Sequence, residues 1–317
     1  MGQSKSNFVE KIRTKLSETK ALIVGDVMLD QYWYANAERI SPEAPVPILD
    51  FVHEIFELGG AGNVAANVRG LGLKTSLLAI IASDNAGNHI NELVESRDII
   101  SHLLTDTDGQ TTVKTRTIVN DHYFGRIDRD QKSSPSSSLM IFEKFCEIID
   151  DYDLVIFSDY NKGTLTQIEE LIAIAKQREK AVFVSPKAKN FAQIKDADHI
   201  ILNESECLNL IDASNQDLKE CLESFKLQQS MPEMLITCAE RGMMFCRGNE
   251  ITEIGSQAQK LTDVTGAIDS VVAIYSALTS LHDDNYWAAT IANKGGGIAV
   301  SKLGTIMLTL DDLQLDD

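Results

Sequence analysis

Apolar residues along the chain fall into short runs separated by longer stretches in which they recur every three or four positions. The first run, Ala21-Leu22-Ile23-Val24, ends in Gly25-Asp26, and similar runs occupy residues 76–81, 154–157, 181–184, 199–202 and 234–237. Runs of this length bounded by turn residues predict strands buried on both faces. Between the later runs, residues 167–178 place Ile168, Leu171, Ile172 and Ala175 on one helical face. Strands alternating with amphipathic helices predict an α/β fold, with a mostly parallel sheet flanked by helices.

Two segments break this rhythm. Residues 32–51 alternate aromatic and polar side chains and then cross Pro42, Pro45 and Pro47; residues 113–128 alternate without a helical period. Both predict antiparallel strands outside the main sheet, forming a small β lid at about residues 31–52 and 112–129. Residues 132–138, rich in serine and holding Pro135, read as a surface loop. No internal repeat and no long linker occurs, so residues 1–317 read as a single domain bearing the lid.

Composition narrows the class. The 317 residues are 44% hydrophobic, enough for a sizeable core, and carry a formal charge of −18. Such an acidic surface repels nucleic acid and anionic membrane, whereas a few local cations can still bind a small anion. No run approaches the ~20 apolar residues of a transmembrane helix. Cys146, Cys207, Cys221, Cys238 and Cys246 are odd in number and lack CxxC spacing, which predicts free thiols in the reducing cytoplasm. The six histidines show no metal-ligand spacing.

Three segments carry candidate chemistry, each beside a purely structural explanation. Thr265-Gly266-Ala267-Ile268-Asp269 precedes an almost wholly apolar stretch, residues 270–281, that predicts a buried helix. A glycine turn opening such a helix aims unpaired amides and the dipole's positive end at one spot, which suits phosphate. Asp269 in the first turn could accept a proton from an attacking hydroxyl, or it could simply complement the dipole. Gly59-Gly60-Ala61-Gly62-Asn63 also runs into a helix. Its small residues admit a ligand close to the backbone, with Asn63 offering donor and acceptor to a polyol, or they serve tight helix packing. Asn203-Glu204-Ser205-Glu206 follows a predicted strand. Asn203 and Glu206 could order the water shell of a magnesium ion, or form a capping box.

In this order and at these separations, the segments resemble the ribokinase-like (phosphofructokinase-B type) sugar kinases. That family carries Gly-Gly…Asn early, Asn-x-x-Glu in the middle and Gly-Ala-Gly-Asp late. The likeness covers roughly residues 15–315. Its heptose-7-phosphate kinase branch is the most similar, through Val24-Gly25-Asp26-Val27-Met28-Leu29-Asp30-Gln31-Tyr32-Trp33-Tyr34 and Arg39-Ile40-Ser41-Pro42-Glu43-Ala44-Pro45-Val46-Pro47. Phe157-Ser158-Asp159-Tyr160-Asn161-Lys162-Gly163, Asp263-Val264-Thr265-Gly266-Ala267 and Lys302-Leu303-Gly304-Thr305 match the same branch.

The resemblance implies a parallel sheet with a β lid that often pairs two subunits, hence a cytoplasmic homodimer through the lid strands. It implies transfer of the ATP γ-phosphoryl group to the anomeric hydroxyl of D-glycero-D-manno-heptose 7-phosphate, with Mg2+ as cofactor and monovalent-ion dependence left open. The partner is then a small-molecule sugar phosphate, with neither nucleic acid nor membrane. Asp269 falls on the catalytic base, and Gly266 and Ala267 on the anion hole. Asp30, Gly60 and Asn63 fall where the sugar hydroxyls are held. Asn203 falls on the nucleotide's phosphates, with Glu206 reaching the metal through water; Thr237, Gly242, Thr265 and Asn293 fall along the nucleotide. Arg116, Arg126, Lys162 and Lys187 are the candidate cations for the substrate's own phosphate.

The sequence also departs from the family. Ile268 replaces the second glycine of Gly-Ala-Gly-Asp, Ser185 precedes Pro186-Lys187 where relatives tend to carry Asp, Cys238-Ala239 replaces Arg-Ser, and Lys294-Gly295-Gly296-Gly297 replaces an alanine-rich stretch. A β-branched residue forced to positive φ would cost about 1–2 kcal/mol, and loss of one anion-hole donor costs on the order of 100-fold in rate. The alternatives to the active heptose kinase are therefore a pseudokinase that binds a sugar phosphate or nucleotide, and a kinase for another sugar phosphate.

Overall fold

The apolar runs become strands of one large sheet, and the two alternating segments become a second, smaller one. The computed structural model describes residues 2–187, 190–213, 217–228, 232–258, 260–281 and 284–315. In chain order the strands are β1 (Lys20–Gly25), β2 (Val27–Ile40), β3 (Pro47–Gly60), β4 (Lys74–Ala82), β5 (Ile100–Asp106), β6 (Val113–Val119) and β7 (His122–Arg129). They continue as β8 (Leu154–Ser158), β9 (Ala181–Ser185), β10 (His199–Asn203), β11 (Glu233–Thr237), β12 (Met243–Arg247) and β13 (Glu250–Ile254). The helices are α1 (Gly2–Glu18), α2 (Ala61–Gly70), α3 (Asn85–Ser96), α4 (Pro135–Ile148) and α5 (Ile168–Gln177), then α6 (Glu204–Leu210), α7 (Leu218–Gln228), α8 (Ala267–Thr279), α9 (Asn285–Val300) and α10 (Leu310–Leu313).

The nine-stranded sheet runs β13-β12-β11-β10-β9-β8-β1-β4-β5. It is parallel from β11 to β5, with β12 and β13 antiparallel at one edge. Both faces are covered, and strand alternation sorts the side chains between them. Ala21, Ile23, Leu154 and Ile156 join the core under α2 and α8, while Leu22, Val24, Val155 and Phe157 join the core under α4 and α5. Helix α8 is buried at every position from Asp269 to Leu278, as its apolar sequence requires. Glycines in α9 let it sit close: a Cβ on Gly295 would lie 2.1 Å from Ile274 Cδ1. The departure at residues 294–297 thus belongs to the packing of α8 against α9.

The lid sheet has the order β3-β2-β6-β7. Two expectations are corrected here. Strands β2 and β6 pair in parallel, not antiparallel, because they come from separate hairpins whose central members run the same way. The strands are also longer than expected at the root, since β2 begins at Val27 and β3 ends at Gly60. The predicted loop at 132–138 is corrected as well: Ser134 caps α4 with its side chain accepting from Ser137 N, and Pro135 takes the first helical position. No helix among the described residues is long and apolar enough to cross a membrane.

One of the junctions between lid and sheet is a single residue. Asp26 lies between β1 and β2, and its carbonyl accepts from Ala61 N at 3.0 Å, where β3 passes into α2. Its buried carboxylate accepts from the amides of Tyr160 (2.8 Å), Lys162 (3.0 Å) and Thr164 (3.1 Å), fixing the loop that follows β8. That loop turns through positive φ at Asn161 and Gly163.

Candidate functional site

In an open parallel sheet, ligands bind beyond the carboxyl ends of the strands, where the strand order reverses. Here the order reverses between β1 and β8, and a cleft runs from the end of β8 across β9, β10 and β11. It holds about 500 Å³ and is lined by the residues that follow β8, β9, β10 and β11, together with the first turn of α8 and one face of α9. That volume is in the range of small-ligand sites.

Gly266 opens α8 at φ 71°, and a Cβ there would lie 2.5 Å from Asn63 Nδ2, so the position requires glycine. Ile268 does not share this demand. It lies inside α8 with no positive φ, so its backbone is unstrained and the expected penalty at this departure does not arise. Gly266, Ala267 and Ile268 all line the cleft. First-turn amides have no acceptor within their own helix, and Ala267 N makes only a 3.3 Å bond to Val264 O.

Asp269 is 4% exposed, one step behind this turn. Its Oδ1 accepts from the Tyr160 hydroxyl at 2.6 Å and its Oδ2 from Asn63 Nδ2 at 2.9 Å. Burial raises its pKa to about 6, against the pull of those two hydrogen bonds. Burial and the neighbouring Asp269 carboxylate push the Tyr160 phenol well above its ordinary value. Asn63 itself is held by Asn67, whose Nδ2 donates to Asn63 Oδ1 at 3.1 Å. Asn63, expected to grip the sugar, thus spends one amide N–H on the Asp269 carboxylate.

The lid lines no part of that cleft; it approaches the buried carboxylate from another side, where the charge of Asp30 bears on Asp269. By register, Asp30 stands beside Lys114 and Asp128, and Tyr32 beside Arg116 and Arg126, all on one face. Arg116 is buried, its Nη1 2.6 Å from Asp30 Oδ1 and its guanidinium 5.3 Å from the centre of the Tyr32 ring. Burial pushes the Asp30 carboxyl up, opposed by Arg116. Lys114 and Arg126 share Asp128, at 3.4 and 2.7 Å. Register also places Glu57 beside Asp30, so the face carries three cations, Lys114, Arg116 and Arg126, and three carboxylates, Asp30, Glu57 and Asp128, with Glu57 paired to Arg97. Gly60, at φ 58°, lets the lid root meet the sheet, since a Cβ there would lie 2.4 Å from Asp26 O.

The other cations are placed differently from expectation. Lys162 pairs with Asp130 at 2.8 Å and lines a separate small polar cavity with Asp26 and Asp106. It is not a cleft residue, because the Asp26 clamp turns its loop away. Lys187 stands in the cleft, 3.3 Å from Glu206 and 5.6 Å from the centre of the Tyr160 ring, on the side of Asn203 rather than on the lid. Arg126 is 44% exposed on the outer lid strand.

Asn203 and Glu206 form a complete capping box at the head of α6. Glu206 Oε2 accepts from Asn203 N at 3.0 Å and Oε1 lies 3.3 Å from Lys187 Nζ. Thr237, Gly242 and Asn293 line the cleft as expected, Asn293 Nδ2 donating to Gly255 O at 2.7 Å. Thr265 does not line it: its amide and hydroxyl both donate to Asp263 Oδ1, at 2.9 and 2.7 Å, which overcomes burial and holds that carboxyl below its usual range. Ser185 and Cys238 both border the cleft, and burial pushes the Cys238 thiol up to about 11, leaving it protonated. Two residues that the sequence reading passed over join the site. Lys114 sits two residues from Arg116 in an alternating strand, and Tyr160 follows the end of β8 at the reversal point.

Comparison with known proteins agrees with this geometry. The family model described as pfkB family carbohydrate kinase matches residues 18–312. The D-beta-D-heptose 7-phosphate kinase of Bordetella bronchiseptica is 31% identical over 301 residues, covering 94% of this chain and 96% of the relative. The bifunctional protein HldE of Helicobacter pylori strain P12 is 34% identical over 308 residues, covering 93% of this chain and 66% of the relative. Among solved structures, phosphofructokinase-2 from Escherichia coli in complex with potassium matches with a TM-score of 0.77 at 15% identity, covering 93% of this chain and 97% of that one. Ribokinase from Thermotoga maritima matches with a TM-score of 0.73 at 15% identity, covering 93% and 98%.

Proposed function

The chain belongs to the pfkB family of carbohydrate kinases, and we propose that it transfers the γ-phosphoryl group of ATP to the anomeric hydroxyl of D-glycero-D-manno-heptose 7-phosphate. One observation carries the reading: the first turn of a long buried helix opens into a cleft, with a buried carboxylate, Asp269, directly behind it and the Arg116–Asp30 pair of the lid close by. The named relative at 31% identity over nearly its whole length supports the choice of sugar.

In this reading the nucleotide's base packs near Met243, Val271 and Asn293, and its phosphates follow Asn203 and Lys187 to the first turn of α8. Asp269 takes the proton of the anomeric hydroxyl as its oxygen forms a bond to the γ-phosphorus and the bond to the β–γ bridging oxygen breaks. The amides of Gly266 and Ala267 stabilise the charge on the transferring group. Asn203 and Glu206 would hold the water shell of a magnesium ion, which would supply charge neutralisation to the phosphates. Asp30 and Gly60 border the sugar, and Lys114, Arg116 and Arg126 receive its phosphate. A second copy of the chain covers the outer lid, where Phe51, Val52, Ile55, Tyr123, Phe124 and Ile127 are exposed along the edge strands β3 and β7. The cytoplasm suits an ATP-consuming protein whose five cysteines are free.

The test is an ADP-release assay over a panel of sugar phosphates, with and without magnesium and potassium, beside Asp269→Asn. Turnover is expected with heptose 7-phosphate and lost in the variant, which still binds the sugar. Equal rates across the panel, or an active Asp269→Asn, would reject the reading.

A further inference from the structure

The carboxylate assigned as the base is not open to the cleft; Tyr160 stands between them. Tyr160 lines the cleft, whereas Asp269 does not. The Tyr160 hydroxyl donates to Asp269 Oδ1 at 2.6 Å, which is the contact that an acceptor hydroxyl must make with a general base. Asn63 holds the other oxygen from the side of Gly266. The tyrosine's own position is fixed by its amide on Asp26, by its ring edge against Gly60, where a Cβ would meet Cδ2 at 3.4 Å, and by Lys187 over the ring.

We propose that Tyr160 is a positioning residue that holds the Asp269 carboxylate in the empty enzyme and surrenders that place to the sugar's hydroxyl. Water cannot take the same place while the phenol is there, so the device favours sugar over water as phosphoryl acceptor. This rests on the assignment of Asp269 as the base. A phenol held so far above its ordinary pKa stays protonated in the working range and so keeps a proton to donate to Asp269.

The experiment compares the parent with Tyr160→Phe, which keeps the ring against Gly60 and loses only the hydroxyl. Two readouts are taken, neither needing sugar turnover. The first is a 13C-aspartate NMR titration, with the Asp269 signal identified by its disappearance in Asp269→Asn. Its midpoint is expected near 6 in the parent, and about one pH unit higher in Tyr160→Phe, as loss of one hydrogen bond to a charged acceptor produces. The second is ATP hydrolysis without any sugar, expected to rise about tenfold on the same grounds. Both changes together support the proposal. An unmoved midpoint, or unchanged sugar-free hydrolysis, in a variant that melts like the parent overturns it. Tyr160→Leu must repeat both changes and decides the matter if Tyr160→Phe folds poorly. If Asp269→Asn keeps its turnover, the base assignment fails separately, while the titration still judges whether Tyr160 holds the carboxylate.

Discussion

Gly266→Ala tests the centre of the site with one methyl group. The residue sits at φ 71°, where an L side chain costs about 1–2 kcal/mol. The new Cβ would meet Asn63 Nδ2 at 2.5 Å and Thr305 Cγ2 at 2.9 Å, distances that real Cβ atoms do not show. Thr305 can shift, but Asn63 is held by Asn67 and itself holds Asp269 at 2.9 Å. Its retreat strains or breaks a hydrogen bond to a charged group, a loss of about 1.5–3 kcal/mol. The sum is about 2.5–5 kcal/mol of stability, a fall of roughly 4–8 °C in Tm for a chain of this size. Activity suffers more, because the same movement turns both the first-turn amides and the base; kcat is expected to drop about 10²–10³-fold. Calorimetry gives Tm, and ADP release with heptose 7-phosphate gives kcat. A variant with parental Tm and kcat within a few-fold would refute the reasoning, since the methyl group would then have room the structure denies it.

Three further outcomes follow from the same geometry. With its pKa raised from 3.8 to about 6, Asp269 weighs on stability only once it ionises: the burden is absent below pH 3.8 and complete above about 6. Asp269→Asn is therefore expected to raise Tm at pH 8 but not at pH 4, by an amount bounded at about 3 kcal/mol, and kcat/KM of the parent should fall as pH drops through 6; equal Tm gains at both pH values would contradict this. Lys114→Ala should raise KM for the sugar phosphate about tenfold, from loss of one charged contact, while kcat changes little; an unchanged KM removes the lid from phosphate recognition. Ile268→Gly should lower Tm, because glycine costs roughly 0.5–1 kcal/mol inside a helix, and should not restore rate; an increase near 100-fold would mean that the side chain, not the backbone, limits the enzyme.

What could be read from the chain divides along physical lines. The parallel strands were legible because a strand buried on both faces must be apolar at successive positions, and β8 through β11 are. The lid was legible from alternation, but its parallel β2–β6 pairing was not, since register between separate hairpins is fixed by contacts far apart in sequence. Ser134 and Pro135 looked like a loop; a capping serine followed by proline is equally the start of a helix. The spacing that singled out Gly266 and Asn203 brought both to the cleft and Asp269 directly behind it, whereas Lys162 and Thr265 lie off it, engaged with Asp130 and Asp263, because the sequence does not tell which neighbour claims a donor. Tyr160 went unassigned although it lay in a quoted motif; only the strand reversal beside β8 marks it.

Asp26 gives the fold its mechanical character. One side chain and one carbonyl tie together the root of the lid, the start of α2 and the loop that bears Tyr160. The root of the lid, the helix that bears Asn63 and the loop that bears Tyr160 therefore share one anchor, so a change at Asp26 would be felt by both groups that hold Asp269.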